Sequence, residues 1–203
     1  MKPLYVKANL GSRIPLDIEK LKGWTLVDPF FSTLDSTQFG TLDVRFPEIQ
    51  FSPLTAHEFL DFVLAKRHSL DEIRIDCPAG GLIAKNSDFP GLLKKMSNAL
   101  KPEGKIEIMT DIISKEAKVP AEPKEIYSIL SGRDPGELCD SEREKLLSLS
   151  KPIPCVDILN ALKQEGFITA VRPACKNEIS RSETAKRKDA NKKELFVIIA
   201  RKS

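Results

Sequence analysis

Residues 98–111, NALKPEGKIEIMTD, decide how the rest of the chain is read. Asn98 to Leu100 close an amphipathic run. Pro102 and Gly104 then interrupt it, one by lacking a backbone donor and the other by its conformational freedom. Ile106, Ile108 and Met109 supply the apolar positions of a strand. The stretch therefore predicts a helix end, a tight turn and a buried strand. Immediately upstream, FPGLLKKMSNAL (89–100) sets Leu92, Leu93, Met96 and Leu100 at i, i+1, i+4, i+8 spacing, which is one face of a helix.

The same alternation continues toward the amino terminus. LDEIRIDC (70–77) reads as a strand on Leu70, Ile73 and Ile75. TAHEFLDFVLAKRH (55–68) reads as a helix, with Thr55 as N-cap, Glu58 completing a capping box, and Phe59, Phe62 and Val63 forming the apolar stripe. LYVKANL (4–10) and GWTLVD (23–28) are strand candidates, and a third short strand is expected around Thr41 to Val44 within TQFGTLDVRF (37–46). Between the first two strands only a short helical turn, DIEKLK, is expected.

Downstream, residues 112–152 are polar and proline-interrupted, with helix patterns at EPKEIYSIL and SEREKLLSL. They read as a helical insertion, a lid or a dimer surface, with Tyr127, Leu130 and Leu147 as apolar anchors. CVDILNALKQEGF (155–167) is a helix ended by Gly166. ITAVRPA (168–174) and ELFVIIARK (194–202) are strands with no helix predicted between them, so they are expected to pair as an antiparallel hairpin. The expected fold is thus α/β: a mostly parallel seven-stranded sheet with an antiparallel carboxyl-terminal hairpin and helices on both faces.

Composition narrows the class. The 203 residues suit a single domain, 1–203, carrying the insertion at 112–152. Hydrophobic residues at 41% and charged residues at 30% are ordinary for a globular protein, and no apolar run approaches a bilayer span. The first residues lack a signal-peptide core, so a cytoplasmic, reducing location is expected. Cys77, Cys139, Cys155 and Cys175 show no CxxC spacing, which argues for free buried or half-buried thiols and against a metal site. A net charge of +3 does not by itself imply nucleic acid. Residues 176–194 do hold seven Lys/Arg against four acids, which fits either a phosphate-facing loop or a solvated loop tip.

In such sheets ligands sit at the carboxyl ends of the strands. There the order LYVKANLGSR, GWTLVD, LDVRFP, LDEIRIDCP, ALKPEGKIEI, LKQEGF, VIIARK resembles the class I S-adenosylmethionine-dependent methyltransferases, which are Rossmann-like. ALKPEGK is similar to that family's turn before its fifth strand, and ILNALKQEGFITAV to its last helix and sixth strand. The resemblance spans nearly the whole chain except 112–152. It implies S-adenosylmethionine as cofactor, an unknown methyl acceptor, and a cofactor site at Asn9, Gly11, Ser12, Arg13, Asp28, Asp43 and Val44. Gly11 would let backbone amides approach the ligand. Asp28 would accept from the ribose hydroxyls, and Asp43 from the adenine amino group, with Val44 near the ring. Asp76 would orient or deprotonate the acceptor, and Cys77, Pro78, Gly80 and Gly81 would line its entrance.

One departure stands in the first motif. Arg13 occupies the place of the family's second glycine. It brings bulk and positive charge toward a sulfonium, or it pairs with the cofactor carboxylate or Asp28. Two readings stay open: a divergent enzyme, or a catalytically inactive binding or scaffold protein on the same sheet. A dehydrogenase fits less well, because no GxGxxG run follows the first strand.

Overall fold

The computed structural model describes residues 7–10, 21–27, 31–32, 34–67, 69–76, 89–111, 155–179 and 194–202. Seven strands form one sheet: β1 Lys7–Leu10, β2 Trp24–Val27, β3 Gln50–Ser52, β4 Leu70–Asp76, β5 Leu100–Asp111, β6 Phe167–Pro173 and β7 Leu195–Lys202. The spatial order is β3-β2-β1-β4-β5-β7-β6. The first five run parallel, while β7 is antiparallel to both β5 and β6. The expected hairpin is therefore present, and its second strand inserts between β5 and β6.

Helices cover the sheet from both sides. α2 (Ala56–Ala65), α3 (Phe89–Ala99) and α4 (Cys155–Gln164) bury Phe59, Leu60, Leu92, Leu93, Met96, Ile158 and Leu162 against Ala8, Leu10, Ile73, Ile75, Ile106, Ile108 and Ile198. The capping box read at Thr55 and Glu58 is formed, with Glu58 N donating to Thr55 Oγ1 at 3.3 Å and Thr55 N to Glu58 Oε2 at 2.9 Å. On the opposite face α1 (Ser36–Arg45) lies over a separate cluster of Trp24, Leu26, Phe31, Ile49 and Phe51, to which Phe39 and Leu42 add edge packing. The Phe31 and Phe51 rings meet edge to face at 5.3 Å.

The third strand was expected around Thr41 to Val44, but those residues are helical and the strand is Gln50–Ser52. The cause is local. Asp35 accepts from Gln38 N at 2.8 Å, and Asp35 N donates to Gln38 Oε1 at 3.1 Å, closing a capping box that starts α1. Phe39, Leu42 and Phe46 then fall at helical spacing and reach the aromatic cluster. The helix end in the opening stretch also differs from a simple turn. Leu100 already pairs with Leu70, and the next pair is Glu72 with Lys105, so Lys101 to Gly104 bulge out of β5. Glu103 takes the left-handed conformation there, at φ 63°. The connection from β6 to β7 includes a short helix, α5 (Lys176–Ile179), which the sequence reading did not expect. The insertion expected at 112–152 lies outside the described residues.

Candidate functional site

The carboxyl rim is set by strand register. Leu10, the last residue of β1, is the partner of Val27, the last residue of β2, and Val27 is also the partner of Ser52 at the end of β3. Asn9 sits between Leu26 and Arg74 in adjacent strands. Asp76 ends β4 opposite Met109. The sequence order reverses between β1 and β4, the switch point at which open parallel sheets take their ligands.

Of the expected site residues, the structure places Asn9 and Asp76 in strands that end at this rim. Gly11, Ser12, Arg13 and Asp28 lie outside the described residues, as do Cys77, Pro78, Gly80 and Gly81. Gly11 and Asp28 follow directly in sequence on the register partners Leu10 and Val27. Asp43 and Val44 are not brought to the rim. They occupy the last turn of α1, both exposed, Val44 at 83%. α1 runs back from the end of β2 to the start of β3, so its last turn reaches the amino edge of the sheet. There Gly23 N donates to Glu48 O at 2.8 Å. The rim position beyond the third strand belongs instead to Ser52, which is buried, and to Pro53 and Leu54 after it. The capping box at Asp35 and the Ile49/Phe51 alternation are the sequence signals that would have found this.

Below the rim, one face of the central strands is charged. Lys7, Glu72 and Lys105 form a straight row across β1, β4 and β5. Lys7 Nζ is 3.2 Å and Lys105 Nζ 3.0 Å from the Glu72 carboxylate. In the next row Arg74 lies 3.6 Å from Glu107 and stacks over Trp24 at 4.3 Å. Glu72 and Arg74 are buried. Burial alone would push the Glu72 carboxyl up, but Lys105 and then Lys7 overcome it and hold it below its ordinary value. Ion pairs this well enclosed require partners on every side, because a buried charge left alone is costly.

Two of the four cysteines lie among the described residues. Cys155 is a half-buried free thiol, within the expected range, whose pKa burial raises, while Cys175 is free and exposed rather than buried or half-buried. Among the described residues no group of three potential ligands forms a metal site, and no helix is long and apolar enough to cross a membrane.

No family model matches the chain, and the curated proteins give no match. Solved structures do. A Haemonchus contortus phosphoethanolamine N-methyltransferase 2, in complex with phosphomonomethylethanolamine and S-adenosylhomocysteine, superposes with a TM-score of 0.58 at 13% identity. The match covers 100% of this chain and 49% of that one, so this chain spans about half the length of that enzyme. The 16S rRNA methyltransferase KamB gives a TM-score of 0.56 at 13% identity, over 98% of this chain and 88% of its own. The [4+2]-cyclase SpnF gives 0.56 at 10% identity, over 98% and 74%. At these identities the likeness is one of fold: the chain has the class I methyltransferase fold.

Proposed function

We propose that the chain binds S-adenosylmethionine at the rim beyond β1 and β2 and transfers its methyl group to an acceptor that enters beyond β4. The observation that carries this reading is the pairing of Leu10 with Val27 at the ends of β1 and β2, next to the switch point. It makes a glycine and an aspartate the next residues of two neighbouring parallel strands. That is the chemistry a nucleoside needs: a backbone that allows close approach on one side, and a carboxylate for the ribose diol on the other. The fold's solved relatives support it, since several of them were crystallised with S-adenosylmethionine or S-adenosylhomocysteine.

Gly11, Ser12 and Asp28 would hold the cofactor, with Asn9 supporting the turn, and Ser52 to Leu54 would form the wall expected earlier of Asp43 and Val44. The bound cofactor supplies an electrophilic methyl on sulfur. This chain's part is to place an acceptor in line with that methyl and to exclude water, and orientation alone supplies about 7–11 kcal/mol in favourable intramolecular cases. Asp76, ending β4 at the rim, would orient the acceptor or take its proton. The seven Lys/Arg of residues 176–194 support a phosphate-bearing acceptor, nucleic acid included. The cytoplasm is the location that fits this reading.

Calorimetric titration with S-adenosylmethionine and S-adenosylhomocysteine tests the proposal. Micromolar binding that Asp28→Ala abolishes supports it, and absence of binding at millimolar ligand removes it. The inactive alternative rests on Arg13. An Arg13→Gly variant that gains binding which the natural chain lacks would establish that alternative.

A further inference from the structure

β1 is the strand on which the cofactor reading depends, and its own sequence holds it weakly. KANL offers four residues, of which Ala and Asn are poor strand formers, and only three of them pair with β4. Hydrophobic patterning excludes a slip of one residue, because that would turn Ala8 and Leu10 from the core to the charged face. It does not exclude a slip of two. Val6, Ala8 and Leu10 alternate, so the core face stays apolar when β1 shifts by two toward its carboxyl end, whereas the opposite shift would bring Ser12 to that face. Such a slip would displace the end of β1 by about 6.6 Å along the strand, separating Leu10 from Val27.

The charged face distinguishes the two registers. In the observed one, Lys7 lies between the Trp24 ring, 5.4 Å away on β2, and the Glu72 carboxylate, 3.2 Å away on β4. Lys105 approaches Glu72 from the far side at 3.0 Å. The shift that keeps the core apolar would put Tyr5 opposite Glu72, removing one of the three cations, Lys7, Arg74 and Lys105, that surround a carboxylate only 5% exposed. The core tolerates the slipped register by polarity, and the ion pair does not.

We propose that Lys7 is a positioning residue: its pairing with Glu72 indexes β1 in the sheet and so holds Leu10, the last residue of β1, beside Val27 at the rim. This rests on the cofactor reading above. Lys7→Met tests it, since methionine keeps an unbranched chain against Trp24 and removes the charge, and Lys7→Arg restores the charge. Two measurements are made on each full-length protein: amide hydrogen exchange over residues 7–10, and the Kd for S-adenosylhomocysteine. In Lys7→Met exchange is expected to accelerate about fivefold. The Kd is expected to rise at least about threefold, because only the indexed fraction binds. Lys7→Arg should return both toward the natural values. Unchanged exchange in Lys7→Met overturns the proposal whatever the ligand does. Faster exchange with an unchanged Kd also overturns it, because register would then not govern the rim. If the natural protein binds no S-adenosylhomocysteine, the cofactor reading fails, while the exchange measurement still decides whether Lys7 sets the register.

Discussion

Replacing Glu178 by glutamine should make the fold less stable at neutral pH and change little in acid. Glu178 is buried in α5 and its carboxylate accepts from both terminal nitrogens of Arg172, at 2.8 and 2.5 Å. The Cys175 amide also donates to it, at 2.8 Å. The Arg172 guanidinium holds the Glu178 carboxyl far below its ordinary 4.5, at about 2, overcoming the opposing effect of burial. Taken at face value this difference corresponds to about 3 kcal/mol of stability. Arg172 is 45% exposed, however, so solvent screening reduces the value to about 1–2 kcal/mol. The folded-state value is depressed, so the contribution is fully present above pH 4.5, where the unfolded chain is also ionised, and is lost as pH falls toward about 2. Urea unfolding of the natural protein and of Glu178→Gln, compared at pH 7 and in steps down to pH 3, reads this directly. The gap between the two should be about 1–2 kcal/mol at pH 7 and shrink steadily below pH 4.5. An equal gap at pH 7 and pH 3, or none at pH 7, would refute the argument that the ion pair anchors α5 to β6.

Two further stability changes follow from local geometry. Glu103→Gly should stabilise the protein by up to about 1 kcal/mol, since glycine adopts the φ of 63° without Cβ strain; thermal unfolding measures it. Gly104→Ala next to it should destabilise, because a Cβ there would meet the Lys101 carbonyl at 2.9 Å. Lys202→Met should cost about 1–2 kcal/mol in chemical denaturation, because Lys202 Nζ donates to the Ser97 carbonyl at 2.7 Å in the last turn of α3.

Legibility differed from element to element. The helices over 55–68, 89–100 and 155–167 were readable because cap and apolar stripe agree, and local propensity then matches what tertiary packing rewards. The third strand was misplaced because its neighbour α1 has no buried residue and carries Gly40 and Thr41, so its stripe is faint. The capping box at Asp35 and Gln38 was the stronger signal, and it outweighed propensity. The displaced strand also displaced the site reading. A strand ending at Val44 would set Asp43 and Val44 on the adenine side, whereas a helix running the other way carries them to the opposite edge. The bulge at Lys101 to Gly104 looks like a turn before the strand in sequence, because the pairing of Leu100 with Leu70 depends on a partner 30 residues away.

The sequence by itself determined the alternation of strands and helices, the antiparallel end of the sheet and the residues that begin each loop at the rim, because these follow from short-range periodicity and turn chemistry. Only the tertiary structure decided register: which residue of β1 lies beside Val27, that β7 lies between β5 and β6, and that Lys7, Glu72 and Lys105 form one row. Register is a long-range property. It is fixed by charges and side-chain volumes meeting across strands, and no window of the sequence contains both partners.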